Sequence, residues 1–153
     1  MRIIFSLFLL CFVCSVSSVC AQTISTTQAL SFGEAVLTDN SAPRVIDLRR
    51  NGNVMEDPEY IFIVNPQVGI YQITGGVPNR RLDTVTMTVD QQVIGGGRQF
   101  TIDNFDIQSP NRLDGAGEGT ITVGARLTSS GDGTAYLPST LHTGALTLSV
   151  TFQ

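Results

Sequence analysis

Five carboxylates, one histidine and one glycine run are the residues whose types and spacing could do chemistry in this chain. Asp103, Asp106, Asp114, Glu118 and Asp132 all fall near turn-like sequence. Calcium takes carboxylate and carbonyl oxygens from flexible loops, so these five are the candidate metal ligands. The spacing Asp103-x-x-Asp106 is not that of an EF-hand, and Asp114-Gly-Ala-Gly-Glu118 reads equally as a plain turn, since turns favour Asp and Gly. His142 is the only histidine. A serine–histidine triad needs a nucleophile beside it, and the Gly-x-Ser-x-Gly elbow does not occur in the chain. The plainer reading puts His142 in an aromatic slot at a strand start. Gly95-Gly-Gly-Arg98 could cradle an anion through backbone amides, but between alternating strands a hairpin turn is the simpler expectation.

Cysteine and charge narrow the chemistry further. The 3 cysteines are Cys11, Cys14 and Cys20, all inside the apolar stretch that opens the chain. That stretch has the layout of an export signal: Arg2, then Ile3 to Val16, then Val19-Cys-Ala21 with small residues where a signal peptidase reads. Cleavage after Ala21 is expected, leaving residues 22–153 as one domain with no cysteine for a disulfide, thiolate metal site or nucleophile. The apolar stretch is short for a membrane span, which needs about 20 apolar residues. No integral membrane segment is therefore expected after cleavage, and the protein belongs in the periplasm, at the cell surface or outside the cell. All 9 basic residues are arginines, set against 13 carboxylates. That balance excludes nucleic acid as a natural partner, because such binding rests on neutralising phosphates. The pairs Arg49-Arg50 and Arg80-Arg81 read as solvated hairpin ends.

The elements that position these residues are strands. Gly119 to Leu127 and Gly144 to Phe152 alternate apolar with small polar residues at period two. Ile121, Val123, Leu127, Leu146, Leu148, Val150 and Phe152 should face a core, with Thr120, Thr122, Thr147, Ser149 and Thr151 outward. Ile24, Thr26, Gln28, Leu30 and Phe32 form one face of an N-terminal strand, and Val45 to Leu48 is a second with Ile46 and Leu48 inward. Tyr60 to Val64 is continuously apolar between Pro58 and Pro66, the pattern of a strand buried on both faces. Gly69 to Thr74 follows, then Val85, Met87 and Val89 alternating with threonines. Phe100 and Ile102 share one parity and Phe105 and Ile107 the other, which predicts a β-bulge near Asp103-Asn104. Glycine clusters at 75–76, 95–97 and 131–133 supply the turns. The expectation is an all-β protein of about eight strands, an antiparallel Ig-like or pilin-like β-sandwich behind an N-terminal signal peptide.

Leu30-Ser-Phe-Gly33 resembles the Leu-x-Phe-Gly opening of small exported bacterial proteins in the domain-of-unknown-function family 4402. Gly119, Ile121, Val123, Gly124 and Leu127 match its glycine-bounded strand, with Ala125 in place of a second glycine. Gly144, Leu146, Leu148, Val150 and Phe152 fit its C-terminal strand, and His142 stands where the family commonly has tyrosine. The resemblance implies an architecture similar to pilin and adhesin subunits, a structural role in the cell envelope or at the surface, and no catalytic residues or cofactor. It also implies partners: other copies or other envelope subunits, joined by strand addition through Gln22 to Phe32. The alternative is a secreted or periplasmic small binding module for a ligand or calcium.

Overall fold

The computed structural model describes residues 22–136 and 140–153; the export signal expected at 1–21 lies outside them. The described chain is all-β. Its strands are β1 (Thr23–Gln28), β2 (Glu34–Leu37), β3 (Val45–Leu48), β4 (Val54–Glu56), β5 (Tyr60–Val64), β6 (Gly69–Thr74), β7 (Leu82–Gly95), β8 (Arg98–Gln108), β9 (Gly119–Thr128) and β10 (Thr143–Phe152). Every pairing among them is antiparallel.

β9 organises the molecule because its alternation gives it one fully apolar face. Ile121, Val123, Ala125 and Leu127 are all buried. One edge of β9 pairs with β8, from Gln108↔Thr122 to Thr101↔Thr128. The other edge is shared end to end: β6 takes Gly119 to Val123, and β3 takes Ala125 to Thr128. The two strands part at Gly124, where a Cβ would lie 2.1 Å from the Leu48 carbonyl oxygen. Only glycine admits that approach.

The second layer comes from β7. It pairs with β8 only around the glycine turn, from Val93↔Phe100 to Gly95↔Arg98, then leaves to pair with β10 along its length. β8 stays with β9. The hairpin therefore opens into two layers, and the core lies between them. Ile73, Met87, Leu113, Ile121 and Val123 form one cluster, covered by Leu146, Leu148, Val150 and Phe152. Ile46, Tyr60, Phe100, Ile102, Ala125 and Leu127 form the other, covered by Leu30, Phe32, Leu37 and Phe62 from β2, β5 and the segment before them. Phe105 touches both. The fully buried valine, leucine and isoleucine side chains among these each contribute about 1.5–3 kcal/mol.

The expected bulge is present. The β8–β9 register shifts between Asp103 and Asp106, and Asn104 takes φ +48°. Asparagine tolerates that left-handed turn better than most side chains. Two expectations are corrected. The face from Ile24 to Phe32 is not continuous, because the β1–β6 register shifts between Thr26 and Gln28. Ile24 lies opposite Ile73 and Thr26 opposite Tyr71, whereas Gln28 lies opposite Ile70 on the other face. β5 is not buried on both faces either. Among the described residues it pairs only with β2, Tyr60 is buried, and Ile61 and Ile63 are exposed. Two short strands, β2 and β4, carried too few residues to show a period.

Candidate functional site

The most densely bonded polar group in the structure is one that no sequence pattern singles out. Asn40, 5% exposed, sits in the loop between β2 and β3. Its Nδ2 lies 3.0 Å from Ser130 Oγ, 3.2 Å from Asp132 Oδ1 and 2.9 Å from the Thr134 carbonyl oxygen. Its Oδ1 accepts from the Gly131 amide at 3.0 Å. A second backbone bond, Gly133 N to Asn40 O at 2.7 Å, closes the latch. The turn that follows β9 can bend this way because Gly131 and Gly133 take φ +67° and +77°.

Charged groups flank the latch. Asp39 accepts from the Ser41 amide and hydroxyl and from Arg44, at 2.6 Å, and these bonds hold its carboxyl below the usual carboxylate range, the Ser41 amide most of all. Asp132 is held low chiefly by the Thr134 amide, with Arg98 Nη1 3.0 Å away. Arg44 also pairs with Glu59 at 3.1 Å. Tyr60 donates its hydroxyl to the Arg44 carbonyl at 3.3 Å, and burial pushes its phenol well above the ordinary range.

The structure does not gather the five candidate carboxylates. Asp103 faces Arg126 at 2.8 Å, beside the bulge. Asp106 accepts from the Arg50 amide at 3.1 Å. Asp114 accepts from the amides of Ala116 and Glu118, so it builds its own turn. Asp132 belongs to the latch. Among the described residues, no three His, Cys, Asp or Glu side chains lie close enough to share a metal ion.

His142 occupies the aromatic slot its position suggests. Its ring meets Phe100 edge-on at 5.2 Å and Tyr136 at 5.6 Å, with Nδ1 3.0 Å from the Thr140 carbonyl oxygen. Gly96 and Gly97, both at positive φ, make a hairpin turn, and Arg98 is committed to Asp132. Three of the four paired arginines are likewise engaged through their side chains. Arg49 meets Asp47 at 2.9 Å, Arg50 donates to the Ile107 carbonyl, and Arg80 reaches the Gln153 carbonyl while lying over the Phe152 ring.

Two surfaces remain unaccounted for by these bonds. One is β1, an edge strand with five of its six residues exposed. The other lies on β2 and β5, where Val36 is opposite Ile61, both are exposed, and Ile63, exposed as well, is left unpaired by a shift of register. No family model, curated protein or solved structure matches this chain.

Proposed function

We propose that the chain is an exported structural subunit of the cell envelope or surface, a pilin- or adhesin-like β-sandwich without catalytic activity, joined to its neighbours by strand addition. The observation that carries this reading is β1. Among the described residues it pairs only with β6, carries a bulge at Thr27, and leaves Ile24 41% exposed even when docked. An edge strand with so little buried apolar surface is easily released. The β6 edge of a neighbouring copy offers it the same partners, from Thr74 to Ile70. Leu30 and Phe32 define the limit of the moving part. Both pack partly buried on the core, so releasing them as well costs up to about 1.5–3 kcal/mol each. The likeness of Leu30-Ser-Phe-Gly33 and the last strand to the exported family 4402 supports the envelope setting.

The test is a chain beginning at Gly33, mixed with a synthetic Gln22–Phe32 peptide. Strand addition predicts a truncated chain that is less stable alone and is rescued by the peptide, with polymers forming when the segment is intact. A full-length protein that stays monomeric at high concentration and in envelope extracts excludes it. Intact mass of protein from the envelope fraction checks cleavage after Ala21; a mass that retains the leader refutes export by this route.

A further inference from the structure

We infer that Arg81 and Arg112 form a binding site for a phosphate group. The proposal uses neither β1 nor the β6 edge and stands apart from strand addition.

The first observation is how the arginines are distributed. Of the 9 in the chain, Arg2 lies outside the described residues, and Arg44, Arg49, Arg50, Arg98 and Arg126 each ion-pair with a carboxylate. Those left over are Arg80, Arg81 and Arg112, and they are neighbours. All 13 carboxylates of Asp and Glu fall within the described residues, so no side chain elsewhere in the sequence can answer them. Arg80 is held in another way, by the Gln153 main-chain oxygen at 3.1 Å and the Phe152 ring. Arg81 and Arg112 are exposed, and among the described residues no hydrogen bond or ion pair holds either guanidinium.

The second observation is that these two cations face each other. Arg81 and Arg112 are partners in an antiparallel bridge. The bonds that flank it run from Leu82 N to Asn111 O at 3.1 Å and from Leu113 N to Arg80 O at 2.9 Å, which makes Arg81 and Arg112 a non-hydrogen-bonded pair. In such a pair the α-carbons are about 4.5 Å apart and the side chains leave one face close together. Like charges directly opposite are destabilising. The carboxylates nearest in sequence do not relieve them. Asp83 accepts from Gln153 Nε2 at 3.3 Å, and Asp114 accepts from the amides of its own turn. A chain with more carboxylates than arginines thus leaves two guanidinium groups side by side and unanswered.

Guanidinium chemistry identifies the ligand. A carboxylate has two oxygens, and one guanidinium fork occupies both. A phosphate monoester has three free oxygens and about −1.5 to −2 charge at pH 7, so it can bridge both forks and offset both charges. The net charge of −4 does not keep such a group away, because fields are screened beyond about 8 Å at physiological ionic strength.

Melting temperature of the purified protein in inorganic phosphate at about pH 7.5, against chloride and acetate at matched ionic strength, tests this. The wild type should gain with phosphate in a saturable way, and not with acetate. Phosphate also strengthens burial in general, but that effect does not saturate and a variant shares it. Arg112→Gln should lose the saturable gain. In chloride alone it should melt at or above the wild-type temperature, because the like-charge pair is gone. Arg49→Gln, at an ion-paired arginine of the β3–β4 turn, should keep the gain. Glycerol 3-phosphate distinguishes the source: a larger gain than with inorganic phosphate marks an esterified phosphate, and an equal or smaller one the free ion. A gain that acetate reproduces, that does not saturate, or that Arg112→Gln retains overturns the proposal. So does an Arg112→Gln protein that melts well below the wild type in chloride, since the arginine pair would then be stabilising by itself.

Discussion

Replacing Asn40 with alanine removes one side chain from a loop and unties two segments that are ninety residues apart in sequence. Nδ2 serves three acceptors and Oδ1 one donor, the Gly131 amide. An amide nitrogen carries two hydrogens, so the three acceptors share two bonds. With the Oδ1 bond, three are lost. At a net 0.5–1.5 kcal/mol each, and with the Gly131 amide left to find water, the loss is about 3 kcal/mol. That is a large share of the 5–15 kcal/mol a domain usually has, and corresponds to a fall in melting temperature on the order of 10 °C. Urea titration with an unchanged slope measures it, and exchange of the Gly131 amide should become fast. Asn40→Asp separates chemistry from packing. It keeps the shape but sets a carboxylate against Asp132 Oδ1 and the Thr134 carbonyl, so it should be at least as damaging at neutral pH and recover in part in acid. A loss below about 1 kcal/mol for Asn40→Ala would mean that water replaces the latch and that its burial has no energetic consequence.

Three further outcomes follow from the same structure. Val123→Asp buries an unpaired charge between the layers and should cost several kcal/mol, whereas Thr122→Asp, on the outer face, should stay within about 1 kcal/mol; equal damage would refute the register of β9. Asp39 and Asp132 are both held below the ordinary carboxyl pKa of 3.8, so the stability they add is present above that pH and lost as pH falls through the lower folded values; acid titration followed by exchange of the amides of Ser41 and Thr134 should show the latch region opening first. Tyr60 is shifted upward from 10.0 by burial, so its contribution is intact below pH 10 and drains away as the unfolded phenol ionises above it; Tyr60→Phe should flatten that alkaline fall.

Long alternating stretches were legible because period two over eight or more residues has only one good explanation. β9 and β10 follow their predicted faces, and the parity break between Ile102 and Phe105 located the bulge to within a residue. The N-terminal segment misled because a bulge at Thr27 leaves no mark in a run of threonines and serine. β5 misled for the opposite reason: its composition describes an environment that one chain does not supply. The latch was invisible because Asn40 lies in Asp39-Asn-Ser41, ordinary turn sequence, and its partners at 130–134 are ordinary turn sequence too. The carboxylates were selected by type and proximity in sequence. The fold disperses them: Asp103 faces Arg126 on β9, Asp106 meets Arg50 in the β3–β4 turn, and Asp114 and Asp132 each bond amides of their own turns.

The placement of β9 has a kinetic consequence. β3, β6 and β8 all wait for it, and Val45 cannot find Thr128 until most of the chain exists. Before β9 is synthesised only the pairs β1–β6, β2–β5, β3–β4 and β7–β8 can form, and the core still lacks Ile121, Val123, Ala125 and Leu127. Topologies dominated by such distant pairings fold slowly, because loop closure precedes any return from burial. A chain built this way remains threadable for longer than one whose first strands nucleate a sheet, and it acquires its shape only after the last third of its sequence has arrived.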